Sequence, residues 1–507
     1  MSHNLFETFA ERMRARGKAD FIITRRGRRY SYGEALATSN RLAGALIAQG
    51  VTPGDRVAVQ VDKSPEAILL YLACLQMGGV YLPLNTGYTA QEIGYFLSDA
   101  EPALFVCRPE NADVAQRIAA QSGCPSVATL GTQADGSLME QAMGTDAQPA
   151  IEPRDSDDLA AILYTSGTTG RSKGAMLTHG NLHSNASALV KSWRFSERDR
   201  LIHALPIFHT HGLFVACNVV LLSGASLLFL PRFDVDAIID ELPHGTTLMG
   251  VPTFYTRLLQ DPRLSPELTR NMRLFTSGSA PLTAETHQSF AQRTGHAILE
   301  RYGMTETNMN TSNPYEGERI AGTVGMPLPG VEVRITDRET RETLAQGEIG
   351  ILEVRGPNVF IGYWRMPEKT REELKEDGFF ITGDLAMIDE RGYVHIVGRD
   401  KDLVISGGYN VYPKEVEQAI DDMDDVVESA VIGVPHPDFG ESVIAVVVAR
   451  PGVSVDEASV LQSLEGRLAR YKQPKRVFFI DNLPRNTMGK VQKNQLRQRY
   501  GELYSSA

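Results

Sequence analysis

Up to about residue 330, short apolar runs alternate with longer stretches whose apolar positions recur every three or four residues, which predicts strands and helices taken in turn. Ser31-Tyr-Gly-Glu34 has the form of a capping box and opens a helix to about Gln49, with Gly50 closing it. Arg56 to Val61 reads as a strand, and Pro65 starts the next helix at its first position. Leu201 to Leu205, Thr247 to Met249 and Leu274 to Thr276 read as short buried strands. The pattern predicts a layered α/β architecture with largely parallel sheets and no internal repeat. From about Val331 the runs shorten, as in Val331 to Thr336, Gly350 to Arg355 and Tyr393 to Val397, predicting a β-rich subdomain. The charged segment Arg399-Asp-Lys-Asp402 ends this region, and the chain beyond it rebuilds a small α+β unit, so the domain boundary is placed there.

Composition narrows the function. The 507 residues carry 51 basic and 62 acidic side chains, a net charge of −11, which argues against a dominant nucleic-acid or anionic-membrane role. Cys74, Cys107, Cys124 and Cys217 form no Cys-x-x-Cys pair, which predicts neither a disulfide framework nor a zinc site and suggests a reducing compartment. The first ten residues lack a basic segment followed by an apolar run, and no apolar stretch reaches about 18 residues. A cytoplasmic protein is expected.

The chemistry begins where the apolar run Ile162 to Tyr164 breaks into Thr165-Ser-Gly-Thr-Thr-Gly-Arg-Ser-Lys-Gly174. Gly167, Gly170 and Gly174 let backbone N–H groups approach a polyphosphate, Thr165, Ser166, Thr168 and Thr169 add hydroxyl donors, and Lys173 adds charge. The spacing is not that of a Walker A loop, because Lys173 follows Ser172 and precedes Gly174. Four further signals follow in order: Tyr302-Gly-Met-Thr-Glu306, Thr382-Gly-Asp384, Gly398-Arg399-Asp-Lys401-Asp402, and Pro484-Arg-Asn-Thr-Met-Gly-Lys490. Alone, Thr305-Glu306 resembles a helix start, Asp384 a turn aspartate and Lys490 a solvated lysine.

The series as a whole resembles the adenylate-forming superfamily of acyl-CoA synthetases, luciferases and peptide-synthetase adenylation domains, over nearly the whole chain. Within it the chain is most similar to the malonyl-CoA synthetase group, through Pro206-Ile-Phe-His-Thr-His-Gly212, Gly250-Val-Pro-Thr-Phe-Tyr-Thr-Arg257 and Leu299-Glu-Arg-Tyr-Gly-Met-Thr-Glu-Thr307. The resemblance implies an N-terminal domain of residues 1–398 holding the ATP and acyl sites, a hinge at 399–401 centred on Lys401, and a mobile lid of 402–507. It implies ATP, Mg2+ and CoA as cofactors and co-substrates, with Glu306 as the magnesium ligand and Thr305 as a phosphate donor. Tyr302 would stack on adenine, with Ser277, Gly278, Ser279 and Ala280 along the purine. Glu300, Arg301, Gly303, Met304 and Arg399 complete the nucleotide site, and Asp384 would hold the ribose hydroxyls. Lys490 would bridge carboxylate and α-phosphate, and Gly407 and Gly408 would reach the thiol tunnel. His209 would line the acyl pocket and gate the thiol.

His209 and His211 alone could suggest a metal, but no third ligand accompanies them. Substrate choice is read from Arg257 and Arg301. A fatty or aryl acid would leave buried guanidinium groups uncompensated, whereas a second substrate carboxylate would satisfy them. Thr210, Ser279 and Met304 would complete a pocket sized for malonate, and Thr210 and Met304, restricting the space between the carboxylates, would admit methylmalonate. Alternatives are a ligase for another small acid and an adenylation module that loads a carrier protein. Of the remaining charge runs, Arg25 to Arg29 is expected in a hairpin turn, Asp421, Asp422, Asp424 and Asp425 at an exposed helix end, and Arg467, Arg470, Lys472, Lys475 and Arg476 either on a solvated face or against CoA phosphates.

Overall fold

The computed structural model describes residues 3–165, 172–406, 409–486 and 489–504. Four sheets organise these residues. In the first, strands Val127–Thr129, Leu104–Cys107, Arg56–Gln60, Val80–Pro83 and Leu159–Thr165 run parallel, and Lys173–Thr178 folds back antiparallel on the last. The second is larger. Its centre is parallel, in the order Leu299–Met304, Leu274–Ser277, Thr247–Gly250, Arg200–His203, Ser226–Phe229, Asp20–Thr24. Antiparallel strands Asn308–Ser312 and Arg29–Ser31 flank that centre.

Local sequence explains the joints. Ser31 caps the helix Tyr32–Ala48 with the reciprocal Glu34 bond of a capping box, and Gly50 beyond its end has φ 86°, the left-handed region that glycine enters at no steric cost. The next helix, Pro65–Gln76, is buried at all twelve residues and packs on Tyr32–Ala48, which is why it reads as apolar on every face. Arg25 to Arg29 does turn a hairpin, with Gly27 at φ 81°, and Arg25, Arg28 and Arg29 pair with Asp240, Glu66 and Asp20.

The β-rich region is a four-stranded antiparallel sheet of Glu332–Thr336, Gly350–Arg355, Phe380–Ile388 and Val394–Arg399. The last sheet, from Val404–Ser406 to Arg476–Phe479, is built around the long antiparallel pair Val426–His436 and Gly440–Ala449, with a separate apolar cluster on each face. One expectation fails here. Asp421 is not exposed: it accepts a 2.7 Å bond from Ser429 Oγ, and burial pushes its carboxyl up to about 7, whereas Asp422, Asp424 and Asp425 are exposed. The helix Pro413–Asp421 turns Asp421 onto the strand it covers, while the next residues have left the helix. Of the basic cluster, Arg467, Lys472 and Arg476 are paired with Asp422, Glu415 and Glu457.

Candidate active site

Gly250, Ser277 and Glu300 stand side by side in register, so the residues that follow them leave the parallel sheet along one carboxyl edge, where α/β sheets bind ligands. Arg200–His203 ends at the same edge and leads into His209, Thr210 and His211. Three of these strands, those carrying His203, Ser277 and Glu300, thereby deliver His209 to His211, Ser279 and Arg301 to one place.

Arg301 lies on the last full strand of this parallel set. It is 3% exposed, and its Nε, Nη1 and Nη2 have no hydrogen-bond partner. Gly278 makes room for it, since a Cβ there would stand 2.3 Å from the guanidinium. Burial lowers the Arg301 pKa to about 9, and its charge, with burial first and Lys490 last, lowers His209 to about 4. His211 is lowered well below its ordinary value by burial and then by Arg301. Both imidazoles are therefore neutral at physiological pH. His211 Nδ1 is 3.3 Å from Ser279 Oγ, and Ser279 has φ 69°, a strained conformation for a serine. The buried Thr210 Oγ1, His209 Nδ1 and His211 Nε2 are also without partners. A buried cation among unpaired polar atoms gains most from an anionic partner.

Arg257 does not join this group. The helix Pro252–Leu259 buries Phe254, Tyr255 and Leu258, which turns Arg257 out to solvent with its guanidinium 5.8 Å from the Phe233 ring. The expectation of two buried arginines is corrected to one. Tyr255 is the residue of that helix facing inward, its hydroxyl donating to the Thr276 carbonyl at 2.5 Å.

The nucleotide-side candidates form a second group. Thr305 and Glu306 lie in the tight turn between Leu299–Met304 and Asn308–Ser312, not at a helix start. The turn ends on Asn308 with φ 52° and brings the Asn308 carbonyl so close that a Cβ on Gly303 would meet it at 1.8 Å. The Tyr302 hydroxyl donates to Asp384, and Arg399 Nε pairs with Asp384 Oδ1 at 2.8 Å, so three motifs far apart in sequence meet. The buried Glu306 carboxyl is pushed up by burial and pulled back by the Tyr363 hydroxyl, Lys173 and Arg399. Tyr363 Oη is 3.0 Å from Glu306 Oε1 and 2.6 Å from Glu373 Oε2, and Lys173 Nζ sits 3.2 Å from Glu373 Oε1, over the Tyr363 ring. Sequence reading did not find Tyr363 or Glu373. Nothing local marks them, because Glu373 ends a helix of exposed charges, Pro367–Glu373.

Glu300 is buried, accepts the Gly322 N–H at 3.1 Å, and is pushed up to about 8 by burial. Thr165 Oγ1 donates to the Lys173 carbonyl at 3.4 Å, Ser277 is buried with its hydroxyl unpartnered, and Ala280 and Met304 are half-buried. Lys490 is solvent-accessible, and Arg399 first, then its place in the cleft, lowers its ammonium to about 8. Its loop lies against the start of the helix Pro252–Leu259, a Cβ on Gly489 being 3.4 Å from Thr253. Ser166, Gly167, Thr168, Thr169, Gly407 and Gly408 lie outside the described residues. Among the described residues no group of three His, Cys, Asp or Glu could hold a metal ion by itself, and no helix is long and apolar enough to cross a membrane.

The class that this fold and cleft define is confirmed by comparison. Residues 9–364 match the AMP-binding enzyme family and residues 415–490 its C-terminal domain, and the chain belongs to that family. It is similar to ATP-bound MatB from Rhodopseudomonas palustris, with 60% identity and a TM-score of 0.97 over 99% of this chain and 100% of that one. It is 37% identical to a feruloyl-CoA synthase from Amycolatopsis sp, covering 94% of this chain and 95% of the relative. It is also 34% identical to a malonate–CoA ligase from Arabidopsis thaliana, covering 93% and 85%.

Proposed function

We propose that this protein is an ATP-dependent malonate–CoA ligase: malonate and ATP give malonyl-adenylate and pyrophosphate, and CoA then gives malonyl-CoA and AMP. The observation that carries the choice of acid is Arg301, a buried guanidinium with all three nitrogens unpartnered. A monocarboxylate would leave it so once its own carboxylate faces ATP, whereas the distal carboxylate of a short diacid would pair with it. Thr210, Ser279 and Met304 would bound the carbon between the carboxylates, with methylmalonate as a second substrate.

In the first half-reaction a carboxylate oxygen attacks the α-phosphorus and pyrophosphate leaves. Lys490 would bridge the carboxylate and the α-phosphate, a cation aimed at charge that grows in the transition state. Thr305, Lys173 and the Thr165 to Thr169 loop would cradle the phosphates, while Tyr302 and the Ser277 to Ala280 segment would hold the adenine and Asp384 and Arg399 the ribose. Glu306 would hold magnesium through its buried carboxylate, and the metal would contribute charge neutralisation on the triphosphate. In the second half-reaction residues 402–507 would turn about Lys401, withdraw Lys490 and bring Gly407 and Gly408 to the thiol path past the neutral His209.

Pyrophosphate release across malonate, methylmalonate, succinate, acetate and benzoate tests the reading. Malonate should give the highest kcat/KM, and a preference for acetate or benzoate would refute it. Malonyl transfer to a phosphopantetheinyl protein with none to free CoA would instead indicate a carrier-loading module.

A further inference from the structure

Two groups outside the cleft grip the segment that forms one wall of the acyl pocket. His203 is the last residue of the strand Arg200–His203 and is fully buried. Its Nε2 lies 2.8 Å from the Gly212 carbonyl, and Cys217 Sγ approaches the same oxygen at 3.3 Å. Gly212 belongs to the π-helical segment His211–Cys217, whose wider winding is a recurrent feature of functional sites. Directly before it the Thr210 carbonyl accepts from both Phe214 and Val215, so the chain carrying His209, Thr210 and His211 is wound into this turn. Gly212 also packs closely on the chain before it, where a Cβ would stand 2.0 Å from the Pro206 carbonyl. The anchor is itself fixed: Lys63 Nζ donates to the carbonyls of His203 at 2.8 Å and Leu230 at 2.7 Å.

We infer that His203, assisted by Cys217, is a positioning residue for acid recognition, holding the π-helical turn at Gly212 so that His209 and His211 stay beside Arg301. The contact requires the proton on Nε2, because the Gly212 carbonyl can only accept. Burial, and then Lys63, lowers the His203 pKa well below its ordinary value, so the ring is neutral and the Gly212 carbonyl selects the Nε2–H tautomer. The inference rests on the acyl-pocket reading above but not on malonate itself. Neither group touches substrate.

The experiment compares His203→Phe, which keeps the ring and loses the donor, with His203→Gln, which can restore a side-chain N–H. The wild type is first run on the acid panel, and the best acid is used thereafter; a wild type that ignores malonate refutes the malonate assignment and leaves this test intact. His203→Phe should raise KM for that acid roughly five- to a hundredfold, the cost of leaving a buried acceptor unmade. KM for ATP should stay within about twofold, and His203→Gln should recover most of the loss. Parallel changes in both KM values, an unchanged acid KM, or a Gln variant no better than Phe would overturn the inference. Should His203→Phe fail to accumulate folded, Cys217→Ala decides: a rise of about two- to fivefold in the acid KM alone supports the inference, and no change overturns it.

Discussion

The two halves of the cleft treat their charges in opposite ways. On the nucleotide side Arg399 pairs with Asp384, Tyr302 donates to Asp384, Lys173 rests on Glu373, and Tyr363 lies between Glu373 and Glu306. On the acyl side Arg301 is buried without a partner, as are polar atoms of His209, Thr210 and His211. A site whose charges are already paired can wait for a ligand that comes and goes, and must exchange those pairs when it binds. An unpaired buried cation has no such resting partner, so it favours only a ligand that brings the missing charge. On the proposed reading the nucleotide half would carry the family's shared chemistry, and the acyl half would choose the acid.

The largest break in this comparison is Arg301→Met. Removing the guanidinium leaves the distal carboxylate of malonate buried and unpaired, a loss of about 3–5 kcal/mol in kcat/KM, or roughly two to nearly four decades. Butyrate, of similar size but with no second charge, should hold or gain activity. Equal losses for malonate and butyrate would show that Arg301 acts on the fold and not on the acid.

Lys490→Ala comes next and addresses the nucleotide half. Losing one cation aimed at the transition state should slow adenylation by about 10²–10³, while thioester formation from supplied malonyl-adenylate persists. Equal loss of both half-reactions would assign the residue another role.

The same contrast explains how far the sequence could be read. The alternating elements, the capping box at Ser31 and the β-rich change near Val331 were legible because each is a local pattern of spacing and turn residues. That Tyr302, Asp384 and Arg399 meet was expected only from motif order, since no local feature links Tyr302 to Asp384 and Arg399. Glu373 and Tyr363 were not legible: their roles arise from chain crossings that only tertiary structure creates. Arg257 failed for a related reason. An eight-residue helix has little room for a buried face, and Phe254, Tyr255 and Leu258 take it. Only helical phase combined with knowledge of which face is covered would have turned Arg257 outward.

A milder perturbation uses pH. The Lys490 ammonium has its pKa lowered from 10.5 to about 8, so the charged form dominates below pH 8 and is lost as pH rises through it. In the free enzyme kcat/KM for adenylation should therefore descend above about pH 8, by roughly tenfold per unit. Glu300 also titrates near 8, so the assignment needs a variant. Lys490→Arg keeps a charge that does not titrate in this range and should move the descending limb to higher pH. A limb that stays in place would belong to Glu300 or to another group.

The smallest effect sharpens the comparison most. Arg257 lies on the helix after Thr247–Gly250 and Arg301 on Leu299–Met304, strands of the same sheet, and sequence alone gives them equal claims on the distal carboxylate. Their surroundings differ: Arg257 is exposed over Phe233, where its charge is solvated and an interaction with the ring contributes about 0.5–1 kcal/mol. Its loss removes no buried partner and leaves no charge uncompensated. Arg257→Met should therefore change kcat/KM for malonate by no more than about twofold and leave the malonate-to-butyrate ratio intact. The double variant should be no more selective against malonate than Arg301→Met alone, as expected when one of two residues makes no contact with the acid. A selective loss of malonate activity in Arg257→Met would require that arginine to swing inward when the acid binds. The acyl half would then hold two cations, one preformed and one recruited, and its contrast with the exchangeable pairs around ATP would weaken accordingly.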